Sequence, residues 1–301
     1  MSTGNDWRVR IGHALAVLRT LEAGSVQSCV TSPPYWGGLR CYADNGQQWP
    51  AMQYQAIRGH QPISIDSQVS ALGHERTPDE YVGHLIAVFR EVRRVLANDG
   101  TVWLNLGDCF LDKQQQGIPW RVALAMQADG WHLRSDIIWH KPNAMPESVT
   151  NRPTRCHELL YLLSKEATYY YDQAAVREPD AGRPAGNTQR SASNQPNDKG
   201  PGTGVPWQPN GTGRNARSVL SILAKPYPDA HFATFPPALP EFCIKASTRP
   251  GDLVLDPFNG AGTTGVVATR VRRRYLGIEQ NPEYAELSKR RIEHDAPLFN
   301  R

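Results

Sequence analysis

An α/β fold built on a mostly parallel sheet is what this 301-residue sequence predicts, on three observations. Short apolar runs alternate with amphipathic helix-length segments along most of the chain, the pattern of strands joined by crossover helices. One of those runs ends at Pro33-Pro34, and another enters a glycine-rich turn at 256–265 that opens a helix. The run 157–164 has almost no polar residue after Glu158, as expected of a strand covered on both faces.

The elements follow in order. Residues 9–21 read as a short strand and the start of a helix. Residues 26–31 are a strand stopped at Pro33, since proline cannot continue a central ladder. From 37 to 76 the sequence is rich in Gln, Gly, Ser and Pro without a clear period, and reads as an insertion of loops. Thr77-Pro78-Asp79-Glu80 supplies a cap, a proline at the first helical position and acids in the first turn. Tyr81, Leu85, Val88, Phe89, Val92 and Leu96 form the apolar stripe of that helix, which Asn98-Asp99-Gly100 is expected to end. Residues 101–106 are a strand, 119–127 a helix stopped at Gly130, and 135–139 and 157–164 two further strands. Residues 180–217 are dense in Gly, Pro, Asn and Ser; such a stretch buries little, so flexibility is the expectation there. Order returns at 218–224. A helix at 237–246, a strand at 253–255, a helix at 263–271, a strand at 275–279 and a helix at 282–292 complete one domain, 1–301, with two insertions.

Composition narrows the class. A net charge of +4 is compatible with a nucleic-acid surface without demanding one. The cysteines, Cys29, Cys41, Cys109, Cys156 and Cys243, are odd in number and form no C-x-x-C pair. Reduced thiols in a cytoplasmic protein are expected, with neither a disulfide framework nor a metal site. The polar N-terminus does not read as a signal peptide, and no apolar run approaches a membrane span.

Two motifs carry chemistry. Leu253-Val254-Leu255 leads into Asp256-Pro257-Phe258-Asn259-Gly260-Ala261-Gly262-Thr263-Thr264-Gly265. Its glycines permit positive φ and close approach of a ligand, and the helix N-terminus offers N–H groups to polar atoms. Glu279 ends the next strand, where an acid can bind ribose hydroxyls. The plain alternative is a packing turn. The second motif is Thr31-Ser32-Pro33-Pro34-Tyr35-Trp36. An exocyclic amino group on a base is a poor nucleophile, because its lone pair is delocalised into the ring. Ser32 Oγ and the Pro33 carbonyl could be acceptors for such N–H groups, held rigid by the prolines. Tyr35 offers a flat face to a base swung out of a duplex. No Gly-x-Ser-x-Gly surrounds Ser32, so it is not read as a covalent nucleophile, and no Pro-Cys pair exists for carbon-5 chemistry. Here the plain alternative is a strand-ending turn with a packed tyrosine.

Catalytic motif first and cofactor motif last, the chain resembles the circularly permuted β group of amino-group DNA methyltransferases. Residues 100–108, 117–124 and 134–143 are similar to further blocks of those enzymes. The resemblance implies a Rossmann-like, mostly parallel seven-stranded sheet, S-adenosyl-L-methionine as cofactor and double-stranded DNA as substrate. It implies catalysis by Ser32, Pro33, Pro34 and Tyr35. Asp256, Pro257, Phe258, Gly260, Gly262, Thr263 and Thr264 would face the methionine part of the cofactor and Glu279 its ribose. Thr31 belongs to the same site, as does Phe232, whose segment 231–237 resembles one that closes over the cofactor. Members with serine before Pro-Pro-Tyr mostly methylate cytosine N4, so direct in-line transfer to that nitrogen is the expectation.

Adenine N6 is the alternative base. From another class comes an inactive DNA- or cofactor-binding protein, suggested by Gly12-His13 where relatives often carry Gly-Asp. Methylation of a protein glutamine amide is a further alternative, although its enzymes usually open the motif with asparagine. His13 itself reads as a partly exposed strand-end residue. Candidate DNA contacts are Arg134, His140, Lys141, Asn143, Arg152 and Arg155, with the insertions 37–76 and 180–217 as target-reading elements. Arg270, Arg272, Arg273 and Arg274 read as a solvated face away from the site. No helix-turn-helix or zinc module is present. A homodimer and a paired restriction endonuclease are left open.

Overall fold

The computed structural model describes residues 6–37, 46–179, 213–224 and 235–295. The chain begins with β1 (Trp7–Ile11), α1 (Ala14–Leu18) and β2 (Val26–Thr31). Four short strands follow: β3 (Gln47–Trp49), β4 (Met52–Tyr54), β5 (Ile63–Ile65) and β6 (Gln68–Ser70). Then come α2 (Pro78–Val95), β7 (Leu96–Leu106), the small hairpin β8 (Phe110–Leu111) and β9 (Gln114–Gln115), α3 (Ile118–Ala128), β10 (His132–His140) and β11 (His157–Ser164). The remainder is β12 (Val219–Ser221), α4 (Ala238–Ser247), β13 (Leu253–Asp256), α5 (Thr263–Arg270), β14 (Arg274–Glu279) and α6 (Pro282–Asp295).

The central sheet runs β1-β14-β13-β2-β7-β11-β10-β12. Only β11 runs against its neighbours; every other pairing in the sheet is parallel. Seven strands were expected, and β12 is the eighth. It pairs Val219 with Ile138 and Ser221 with His140 at the edge, and three residues are too few to show a period. Strands alternate their side chains between faces. On β11, Leu159, Tyr161 and Leu163 join one core with α1, α2 and α3. Leu160 and Leu162 join the other, with α4, α5 and α6. Burial on both faces matches the apolar run.

Helix α2 starts as its sequence dictates. Glu80 N–H donates to Thr77 Oγ1 at 3.2 Å, Thr77 N–H donates back to Glu80 Oε2 at 3.3 Å, and Pro78 takes the first position. It ends earlier than expected, at Val95. Leu96 is already extended and pairs with Val26, and the β2–β7 register shifts just beyond it. Asn98-Asp99-Gly100 is therefore an irregular part of a strand rather than a helix stop.

The expectation of loops for 37–76 fails over its described part, 46–76. There β3 pairs with β6 and β4 with β5, both antiparallel. Each strand is three residues long, too short for alternation to stand out, yet Trp49, Tyr54 and Ile65 are buried. A Cβ on Gly83 of α2 would stand 3.0 Å from Ile65, so this helix surface is shaped to receive the ribbons. Most of 180–217 lies outside the described residues.

Candidate active site

Parallel strands bring their carboxyl ends to one edge, and β11, running the other way, brings its amino end there. That edge gathers the turn after β2, the turn after β13, the end of β14, the segments after β7 and β10, and Glu158. The motifs near the two ends of the chain thus become neighbours, because β2 pairs directly with β13.

Asp256 lies at the junction and is only 2 % exposed. Thr31 Oγ1 donates to its Oδ1 at 2.6 Å, Phe258 N–H to Oδ1 at 3.1 Å and Thr264 Oγ1 to Oδ2 at 2.8 Å. Burial raises its carboxyl to a pKa of about 6, against the pull of those hydrogen bonds and with a smaller push from Glu279. Asp256, Thr31 and Thr264 thus join the two turns, and none of the three borders the cavity described below. Glu279 accepts from Gly260 N–H at 2.7 Å and Asn281 N–H at 2.9 Å. Burial raises its carboxyl too, offset by backbone N–H donors from Asn281, Gly260 and Gln280. Gly260 and Gly262 adopt positive φ, 50° and 74°. Gly265 does not; it is helical, and a Cβ there would stand 2.5 Å from the Tyr275 ring, so its role is packing.

Beside this loop lies a cavity of about 510 Å³, within the range of small-molecule sites. Pro257, Phe258, Gly260 and Glu279 line it from the predicted cofactor residues, and Ser32 and Pro34 from the predicted catalytic turn. Gly262, Thr263, Pro33 and Tyr35 do not border it. Phe232 lies outside the described residues. The remaining walls are Gly12 and His13, singled out in the sequence, with Ala14, then Ile278 and Gln280 to Glu283, then Gln47, Trp49, Ala71 and Leu72 of the inserted segment. Trp49 could not be found from sequence, because its place depends on a long-range pairing. Its ring stacks on His84 at 4.2 Å between centroids and meets His13 edge-on at 4.7 Å. His84 Nδ1 in turn contacts Glu75 Oε1 at 2.9 Å, both side chains fully buried.

His13 is partly exposed just beyond the end of β1, as expected, but it also borders the cavity at the start of α1. Burial lowers its pKa to about 4, helped by Arg19 and His84, so the imidazole is neutral at neutral pH.

The turn after β2 is held from several sides. Tyr81 of α2 donates to the Pro34 carbonyl at 2.7 Å, and Trp36 Nε1 to the Glu75 carbonyl at 3.0 Å. Ser32 Oγ donates to Tyr35 Oη at 3.2 Å, and Tyr35 Oη donates to Glu158 Oε2 at 2.7 Å. Asn105 Nδ2 donates to both Tyr35 Oη and Glu158 Oε2, each at 2.7 Å. Lys141 Nζ donates to Glu158 Oε1 at 2.5 Å and sits 4.3 Å from the Trp139 ring centroid. Burial pushes the Glu158 carboxyl up, but the Lys141 charge and the hydrogen bonds from Lys141, Tyr35 and Asn105 outweigh it and hold it below the usual range. The Tyr35 ring packs so closely on Gly107 that a Cβ there would stand 2.5 Å from it.

The candidate DNA contacts, Arg134 apart, lie at this edge, and most make contacts within the chain. Lys141 is ion-paired with Glu158. Arg134 lies near the opposite end of β10, over the Tyr169 ring. Asn143 exchanges hydrogen bonds with Ala224, and His140 contacts Ser221. Arg152 pairs with Glu147 and covers the Phe110 ring, and Arg155 stays at this edge, before β11. The run at 270–274 lies at the far edge, as expected, but is not simply solvated: Arg270 pairs with Asp295, and Arg273 holds Thr248. Among the described residues no cluster of metal-ligating side chains occurs, the cysteines are free, and no helix is long and apolar enough to cross a membrane.

Residues 26–290 match the family model described as a DNA methylase of the N6/N4 type. The type II methyltransferase M.Cfr9I of Citrobacter freundii is 41 % identical over 94 % of this chain and 86 % of its own length. The type II methyltransferase M.SmaI of Serratia marcescens is 38 % identical over 95 % of this chain and 90 % of its own. Among solved structures, the cytosine-N4-specific PvuII DNA methyltransferase is similar in fold, with a TM-score of 0.66 and 22 % identity, covering 100 % of this chain and 93 % of its own. A Thermus thermophilus protein solved with S-adenosyl-L-methionine has a TM-score of 0.59 and 25 % identity over 97 % and 95 % of the two chains.

Proposed function

Because the chain belongs to the N6/N4 DNA methylase family, we propose that its product is N4-methylcytosine in duplex DNA, formed by direct transfer to a flipped-out base. It is a DNA methyltransferase, and its cofactor is S-adenosyl-L-methionine. The cofactor's chemistry fits the residues present. Glu279 accepts backbone N–H groups from Gly260 on one oxygen and Asn281 on the other, with Gln280 N–H also directed at it, and the about four acceptor sites of a carboxylate leave room for a ribose hydroxyl. Pro257, Phe258 and Trp49 give the cavity apolar walls. When bound, the cofactor supplies a methyl group on a positively charged sulfur.

What the chain's own residues do follows from the second turn. The observation that carries the amino-group reading is that Ser32 borders the cavity while its proton is directed to Tyr35. Its lone pairs are then available to an amino N–H, with the Pro33 carbonyl as the second acceptor. Both would favour a pyramidal nitrogen aligned for in-line attack, which needs position more than acid strength. Tyr35 flanks the base. A serine at this position, rather than aspartate, supports cytosine over adenine. In this reading Asp256, Thr31 and Thr264 brace the cofactor loop, while Gly262 and Thr263 set the start of α5.

The order of the turns, with the catalytic one after β2 and the cofactor one after β13, supports a circularly permuted single domain over 1–301. The insertion 180–217 is assigned to target reading. Tritium-labelled S-adenosyl-L-methionine incubated with unmethylated duplex DNA tests the reading: label should enter the DNA fraction, and Ser32→Ala should suppress it. Label entering DNA equally with that variant would remove Ser32 from the chemistry.

A further inference from the structure

We infer that Glu158 is the proton sink of the transfer, reached from the base amino group through the hydroxyls of Ser32 and Tyr35, with Lys141 and Asn105 holding its carboxylate in place. The inference rests on the reading that an amino group is methylated beside Ser32, and it adds what becomes of the proton. Four elements converge on this carboxylate: the turn after β2 with Tyr35, β7 with Asn105, the segment after β10 with Lys141, and β11 with Glu158 itself. A merely structural acid would need no chain of hydroxyls ending at the cavity wall. Here Ser32 Oγ, Tyr35 Oη and Glu158 Oε2 are linked in that order at 3.2 and 2.7 Å, with every donor pointing toward the carboxylate.

The step balances. As the N–C bond forms and the C–S bond breaks, the sulfonium becomes a neutral thioether and the nitrogen takes up the positive charge with one proton too many. That proton passes to Ser32 Oγ, the Ser32 proton to Tyr35 Oη, and the Tyr35 proton to Glu158 Oε2. A methylamino group and a neutral carboxylic acid remain. A cationic nitrogen conjugated to the base ring is a far stronger acid than a carboxylic acid, so a carboxylate of low basicity suffices. A proton acceptor must be ionised before the reaction, which is what the Lys141 charge secures in a largely buried place. His157 on β11, His140 on β10 and Arg155 before β11 stand at the same edge; Arg155, His140, Lys141 and Glu158 all act on the His157 imidazole. Partly exposed Glu158 returns its proton to water after product leaves. Ser32 thus takes the proton from the amino group, which the Pro33 carbonyl also holds, while Tyr35 and Glu158 carry it onward.

The test uses single-turnover methylation of unmethylated bacterial DNA with enzyme in excess, on wild type, Glu158→Gln, Tyr35→Phe, the double variant and Lys141→Met. Cofactor affinity by calorimetry and melting temperature accompany each rate. Glu158→Gln and Tyr35→Phe should each slow transfer by ~10²-fold, the lower range of general acid–base contributions. The double variant should be no slower than the worse single, because the two act as one unit. Cofactor affinity should stay within about twofold, since neither residue borders the cavity. In Lys141→Met the acid limb of the rate against pH should move to higher pH. The Glu158 carboxyl resonance, followed in carbon-labelled protein, should titrate higher by the same amount. Should Glu158→Gln fold poorly, Tyr35→Phe, which deletes one oxygen, decides. Wild-type rate in Tyr35→Phe, multiplied losses in the double variant, or an unmoved limb in Lys141→Met would each overturn the relay. Wild type failing to label DNA would overturn the underlying reading and the relay together.

Discussion

Ser32 illustrates how one side chain separates chemistry from stability. It is half-buried, borders the cavity and donates a hydrogen bond to Tyr35. Ser32→Ala should lower turnover by ~10²–10³, the scale of losing one positioned transition-state contact, while cofactor affinity and melting stay near wild type. A matching loss in cofactor affinity would place Ser32 in the cofactor site instead. Glu279→Ala should weaken cofactor binding by about 1–3 kcal/mol, the cost of losing a charged hydrogen-bond partner, and calorimetry reads it; unchanged affinity in a folded variant would take Glu279 out of the site. Asp256 makes a pH prediction. Its folded pKa is raised from 3.8 to about 6, so the folded protein holds that proton more tightly than the unfolded chain does. The associated stability is present below pH ~4 and lost as the pH rises to ~6. Measured by urea unfolding, wild type should lose up to ~3 kcal/mol relative to Asp256→Asn across that window and then run parallel to it. A relative gain would mean that the carboxylate, not the acid, is the favoured buried form.

At the level of elements, legibility followed the range of the forces involved. The α2 start was readable because a capping box is local: Thr77, Pro78 and Glu80 are neighbours in sequence. Thr77→Ala should cost ~1 kcal/mol of stability without changing cofactor affinity; no loss in denaturant unfolding would mean that Glu80 alone secures the cap. Strand β11 was readable because an apolar run needs no partner to be recognised. The ribbons β3–β6 were not. Trp49 is buried only because β3 finds β6 and both find α2, and nothing within Gln47–Trp49 announces that. The same reason hid the Glu158 cluster: the acid was visible only as the polar start of an apolar strand, and Lys141 only as one of several cations. Trp49→Ala should cost about 3–5 kcal/mol, as for large buried aromatics, and should also weaken cofactor binding, since the ring borders the cavity. Cofactor affinity unaffected by that loss would place the ribbons outside the binding site.

On the scale of the whole molecule, the parallel sheet does the assembling. Adjacent parallel strands ending at one edge bring residues 31–35, 256–264 and 279 together, and the reversed β11 adds Glu158 from its opposite end. The far edge, with Arg270 and Arg273 tied to Asp295 and Thr248, is left for structure. Hydrogen exchange with and without duplex DNA should therefore slow along the catalytic edge and within 180–217, and stay unchanged at 270–274. Protection centred on the arginine run would put DNA on the opposite side of the sheet from the catalytic turn. The base that receives the methyl group is where the residues around Ser32 are most specific. Wild-type protein, labelled S-adenosyl-L-methionine and unmethylated duplex DNA of mixed sequence, digested to nucleosides and resolved by mass spectrometry, test the assignment to cytosine most directly. Label is expected in N4-methylcytosine; label in N6-methyladenine would contradict the assignment.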